Sequence, residues 1–200
     1  MRLFDNLSFL LQLQRDTDMD VLGPYPSSHA DGFDALNSDV KPEDLPGRIS
    51  QALGVQYLAD MQSRPTPVNG IVFNTKNSTL RVLVTLPVSA RGRSVAVHFI
   101  FDTGAPCTYI ALSVLEALNL PEVSLCSEVV NINGVKSVLS VSDTTKATYR
   151  EGDNKMEVPR HFVGLNILGM DFLDRAGIKL EMDLATNAVV LSSAQFPVIG

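Results

Sequence analysis

The sequence predicts an all-β fold: a small closed barrel with one short helix on its C-terminal side, preceded by a partly helical N-terminal extension. Three observations carry this. From Val68 onward, short strand-like runs recur between polar turns containing Gly, Asn or Asp. Helical spacing in that region is confined to brief stretches. The first third differs, with leucines at helical intervals followed by a polar, proline-punctuated stretch. Residues 1–67 are therefore expected as an extension with amphipathic helices and an acidic linker, and residues 68–200 as the β-domain.

Met1 to Gln14 places Leu3, Leu7, Leu10 and Leu11 on one helical face, widened by Phe4 and Phe9. Asp5 and two glutamines interrupt what a secretory apolar core requires, no small-residue cleavage site follows, and no segment approaches a membrane span. The expected compartment is intracellular, the cytoplasm by default. Asp16 to Pro46, polar and proline-punctuated with many aspartates, reads as a linker or a loosely packed wrap rather than a second core. Asp16, Asp18 and Asp20 have calcium-loop spacing, but Val21 stands where that loop needs glycine and Ser27 where it needs a bidentate acid. Gly47 to Met61 offers a helical face through Ile49, Leu53 and Tyr57, ended by Pro65 and Pro67. This apolar extension is expected to pack on the barrel or assist dimerisation, and a chain beginning near Val68 to fold but associate more weakly.

Val97 to Phe101 is an apolar run that reads as a buried strand. It delivers Asp102-Thr103-Gly104-Ala105, a loop that holds one carboxylate in reach of water. Gly104 suits a tight turn, and Thr103 can hydrogen-bond locally. Leu112 to Leu120 has helical spacing and stops before Pro121. Val129 to Val135 contains Asn133-Gly134, a hairpin signal because both residues tolerate positive φ. A second polar turn, Glu151 to Asn154, separates Ala147-Thr148-Tyr149 from Met156-Glu157-Val158. Ile178 to Met182 and Ala188 to Leu191 supply further strands.

Further on, Ile167-Leu168-Gly169-Met170-Asp171-Phe172-Leu173 completes a pattern. An apolar-apolar-Asp-Thr-Gly-Ala loop followed most of a domain later by an apolar-apolar-Gly turn into a short helix resembles the retropepsin-like aspartic peptidases. The resemblance covers roughly Val68 to Gln195 and leaves the first third unexplained. Viral members commonly have an aspartate after the loop and an arginine after the later glycine, which form an ion pair. Here those positions hold Pro106 and Met170, so the chain is more similar to the retroelement and cellular types.

The resemblance implies Asp102 as the catalytic residue, with Thr103, Gly104 and Ala105 supporting its loop. It also implies that the hairpin Ile132, Asn133, Gly134 and Val135 is a substrate-binding flap. Aspartic peptidase chemistry needs two carboxylates across one water, and the chain has a single Asp-Thr-Gly. A homodimer is thus implied, with an Asp102 from each subunit meeting at the two-fold axis. Asp171 is a second carboxylate near the motif, and its place at a helix start favours capping or loop fixing.

The net charge of −6 argues against a nucleic-acid partner, and no membrane partner is expected. The two cysteines lack a close-spaced ligand pair and the three histidines are scattered, so neither metal nor cofactor is expected. Cys107 is read as a small buried packing residue, not disulfide-bonded to Cys126. His98, alternating with apolar neighbours, is read as a structural histidine. The leading expectation is a homodimeric aspartic endopeptidase acting on a peptide or polyprotein substrate. The alternatives are a catalytically silent dimerisation or peptide-binding module and a regulatory scaffold.

Overall fold

A computed structural model describes residues 39–75, 79–121, 130–138, 140–143, 146–151, 154–159 and 162–197. The expected helix over Met1 to Gln14, most of the acidic linker, the Gly152-Asp153 turn, His29, His161 and Cys126 lie outside them. Among the described residues, no helix is long and apolar enough to cross a membrane.

The architecture is mostly β. Strands β1 (Val68–Asn74), β2 (Leu80–Ala90) and β3 (Arg93–Phe101) form an antiparallel meander, and β12 (Ala188–Ser192) and β11 (Lys179–Asp183) extend it beyond β1. On the other side, β10 (Ile167–Leu168) lies between β3 and β4 (Tyr109–Ile110), and β7 (Ser140–Val141) follows β4. The hairpin β5 (Val130–Ile132) and β6 (Val135–Ser137) joins through β2, whereas β8 (Lys146–Glu151) and β9 (Asn154–Pro159) form a separate two-stranded sheet among the described residues. The sheet is mixed, because β10 runs parallel to β3 and β4 parallel to β7. Its path has two ends, β11 and β7, so the closed barrel expected from the sequence is an open sheet among the described pairings.

Alternation along β3 explains the continuous apolar run. Val95, Val97 and Phe99 enter one core with Val84 and Leu86, joined by helices α2 (Leu112–Ala117) and α3 (Met170–Ala176) through Leu115 and Phe172. Ile100, on the opposite face, enters a second core with Leu83, Tyr109, Leu165 and Ile167. A strand buried on both faces has no polar side to display.

The second core is completed by the N-terminal extension. Val40, Leu45 and Ile49 are 0–2% exposed within it. They lie on a strap with a 3-10 turn Pro42–Asp44, a wide turn Leu45–Ile49 and the single-turn helix α1 (Ser50–Leu53). The helix expected through Tyr57 stops early because Gly54 takes φ of 66° and turns the chain. The strap then runs along β3, with Leu58 N–H donating to Ala96 O and Met61 N–H to Ser94 O at 2.8 and 3.1 Å. Asp39 binds the sheet through Arg81 Nε at 2.8 Å and Thr79 Oγ1 at 2.6 Å. Residues 39–61 thus form a layer of the β-domain.

Candidate active site

The chain leaves β3 at Asp102 and turns over residues that are largely in water. Asp102 is half-buried, while Thr103, Gly104, Pro106 and Cys107 are exposed. The Gly104 N–H donates to Asp102 Oδ1 at 2.8 Å, and Ala105 N–H donates to Asp102 O at 3.3 Å. The carboxylate is therefore held by its own loop through one oxygen. The tight turn expected at Gly104 forms, and it does so without a positive φ. What its missing side chain provides is room, since a Cβ there would stand 3.2 Å from Asp102 Oδ1.

The loop is clamped from the other motif. Asp102 N–H donates to Leu168 O at 3.2 Å, and Met170 and Asp171 N–H groups donate to Ala105 O and Pro106 O at 2.8 and 3.2 Å. Gly169 passes so close beneath the loop that a Cβ would lie 2.2 Å from Cys107 O and 2.9 Å from Ala105 O. Those are backbone atoms with no rotamer to yield, so only glycine fits. Thr108, fully buried, ties the same place: its Oγ1 accepts from Gly169 N–H at 3.1 Å and donates to Asp171 Oδ1 at 2.7 Å. Asp171 Oδ1 also accepts from Phe172 N–H at 2.7 Å. Asp171 is thus a loop-fixing residue, as its position suggested. This hydroxyl–carboxylate clasp joins the two motifs where Pro106 and Met170 rule out an ion pair.

Behind the clamp stands Asn166, which the sequence reading did not single out. Its side chain is fully buried, accepting from Ala111 N–H at 2.8 Å and donating to His98 O at 3.2 Å and Tyr57 Oη at 3.0 Å. A buried amide needs such partners. The available signal was an Asn directly before Ile-Leu-Gly, but its partners come from three distant segments. Burial raises the Tyr57 phenol above its ordinary pKa, more than its bonds to Ser113 and Asn166 lower it.

His98 is structural. Ser50 Oγ already donates to Leu45 O at 2.7 Å and accepts from Tyr57 N–H, so His98 Nε2 must donate to it at 3.0 Å. In the neutral ring that burial favours, Nδ1 accepts from Thr85 Oγ1 at 2.9 Å. Burial pushes its pKa down to about 4, against a smaller raising effect of the Val55 backbone. Cys107 is free and exposed, correcting the expectation of a buried packing residue: its carbonyl turns in toward Gly169. Among the described residues, no His, Cys, Asp and Glu side chains gather as a metal site.

The expected flap lies elsewhere. Asn133 and Gly134 form the turn, with φ of 49° and 91°, but Ile132, Asn133 and Val135 are at most 8% exposed. Asn133 is locked by Arg64, whose N–H donates to Oδ1 at 2.6 Å and whose carbonyl accepts from Nδ2 at 3.0 Å. Ile132 pairs with Val88, which faces Val95 across the β2–β3 hairpin. From Val95 to Asp102 the chain runs the rest of β3, on the order of 20 Å of extended strand. The structure therefore brings Asp102 to Ala105 together with Gly169 to Asp171, and does not bring residues 132–135 over them.

No family model and no curated protein matches the chain. Among solved structures it is similar to a retropepsin-like aspartic protease from Rickettsia conorii, at 13% identity over 66% of this chain and 96% of that one, with a TM-score of 0.36. At that TM-score the likeness assigns no activity to this chain.

Proposed function

We propose that the chain is a retropepsin-like aspartic endopeptidase of the retroelement or cellular type, active as a homodimer on extended peptide or polyprotein substrates. The observation that carries this reading is the clamped, water-facing Asp102 loop, in which Gly104 holds one carboxylate oxygen and Gly169 holds the backbone from beneath. One Asp102 takes a proton from a water as it attacks the scissile carbonyl. The partner's Asp102, protonated because two such close carboxylates share one proton, donates toward the carbonyl oxygen. Proton transfer to the amine nitrogen then breaks the C–N bond. Thr103, Gly104, Pro106, Cys107 and the 44% exposed Met170 form the face that a second copy would cover.

A peptide-binding or dimerisation module without turnover is the second reading. It is favoured by the burial of Ile132, Asn133 and Val135, which leaves that hairpin only the exposed Gly134 at its tip to meet a substrate. A peptide-library cleavage assay separates the two. Wild type should cleave, Asp102→Asn should retain fold and self-association but lose turnover, and excess Asp102→Asn should poison wild type through mixed dimers. Full turnover by purified Asp102→Asn, or by a species shown to stay monomeric, rejects the peptidase reading.

A further inference from the structure

Three strands meet at the Asp102 loop: β3 leads into it, β4 leads out of it, and β10 leads to Gly169 beneath it. Asn166, directly before β10, is bonded to the other two. Its backbone carbonyl accepts from Ile100 N–H at 2.9 Å and its side-chain Nδ2 donates to His98 O at 3.2 Å, both on β3. Its Oδ1 accepts from Ala111 N–H, just after β4, at 2.8 Å. These partners fix the orientation of the amide, because a peptide N–H can only donate and a carbonyl can only accept. One Nδ2 proton is left, and Tyr57 Oη of the N-terminal strap accepts it at 3.0 Å. Tyr57 is held in turn. Its N–H donates to Ser50 Oγ at 3.0 Å, its neighbour Leu58 donates to Ala96 O on β3, and its ring centroid lies 5.4 Å from that of His98. At the far end of the side chain the hydroxyl also meets Ser113 Oγ of α2 at 3.3 Å.

We propose that Tyr57 is a positioning residue for the Asp102 site, acting through Asn166, so that the N-terminal strap reaches the site by this one hydroxyl. The inference rests on the peptidase reading of Asp102. A phenol anchored at both ends of its side chain is a rigid acceptor, and it sets the plane of the Asn166 amide. The amide in turn sets the spacing of β3, β4 and β10, and with it the seat of the loop on Gly169. A buried amide proton without a partner would draw Asn166 away from this arrangement. The bonds of Tyr57 Oη go to Asn166 and Ser113, so its effect is on geometry. Small misplacements of reacting groups slow the chemical step, which puts the loss in kcat and leaves KM nearly unchanged.

The test compares the full chain with its Tyr57→Phe variant, which keeps the ring and removes the hydroxyl. On a peptide found in the library assay, kcat should fall about tenfold, the equivalent of one hydrogen bond, with KM within about twofold. Backbone amide resonances of Gly104, Ala105, Gly169 and Met170 should shift, a readout that needs no turnover. Leu53→Ala trims the same strap where it packs on the second core, and should leave kcat and these resonances as in wild type. Ser113→Ala removes the other partner of the phenol and should retain most of kcat. Unmoved loop resonances in folded Tyr57→Phe, an equal fall of kcat in Leu53→Ala, or the whole Tyr57→Phe effect reproduced by Ser113→Ala would overturn the proposal. Wild type without turnover rejects the peptidase reading alone, and the resonances then decide the positioning role.

Discussion

The two faces of β3 are buried by different physical means. On one, Val95, Val97 and Phe99 meet side chains of the sheet and of two helices in an apolar core. On the other, Ile100 meets apolar residues while His98 is held by Ser50 and Thr85, under a strap contributed by the extension. The first face relies on area removed from water, which is non-directional and tolerant of exact partners. The second adds directional bonds to a buried titratable group, so it is specific to one partner segment and sensitive to pH.

Removing the strap tests the comparison most severely. A chain beginning at Val68 loses Val40, Leu45 and Ile49 and exposes the faces of Leu83, Ile100 and Ile167 they cover. At roughly 1.5–3 kcal/mol for each large apolar side chain, that loss approaches the whole stability of a domain. The expected outcome is a chain without cooperative unfolding by circular dichroism, in contrast to the expectation from sequence that residues 68–200 fold alone. Native-like melting of the shortened chain would show that the strap only decorates the sheet.

Within the apolar face, Phe99→Ala should cost about 3–5 kcal/mol in urea unfolding, the range for a fully buried aromatic, with no added pH dependence. A cost below about 1 kcal/mol would mean that the core around Phe99 collapses freely into the space.

The smallest effect is the most diagnostic of the strap face. His98 is held near 4 in the folded chain against an ordinary value of 6.5, so the unfolded chain binds the additional proton between those values. Its contribution is complete above about pH 6.5 and is lost as pH falls toward about 4, for on the order of 3 kcal/mol. Urea midpoints measured across that range should fall with acidity in wild type and fall less in His98→Gln. Identical slopes would remove His98 from the pH response. If the proposed peptidase has an acidic optimum, its working range overlaps this loss.

Much of the loop was legible because its constraints are local. A buried strand, Asp-Thr-Gly, and a glycine after two apolar residues are written in short stretches, and the Asn133-Gly134 turn formed because both residues accept positive φ. The destination of that turn was not legible. Nothing within Val130 to Ser137 states that Asn133 will be bonded by Arg64 or that Ile132 will pair with Val88. Cys107 shows the same limit at one residue, since the chain path around Gly169 decides whether its carbonyl or its thiol faces inward.

By itself, then, the sequence determined the mostly β architecture, the helices after the loop and after Gly169, the position of Asp102 on a turn, and the structural character of His98 and Asp171. Local sterics, side-chain alternation and hydrogen-bonding capacity decide those, and each acts over a few residues. Only the tertiary structure decided that the sheet stays open among the described pairings, that the strap is a layer of the domain, that Asn166 and Thr108 lock the loop, and that Ile132, Asn133 and Val135 are buried at the other end of β3 from Asp102. Those outcomes depend on contacts between segments distant in sequence, where the free energy of burying one surface against another selects the partner and no local preference encodes it.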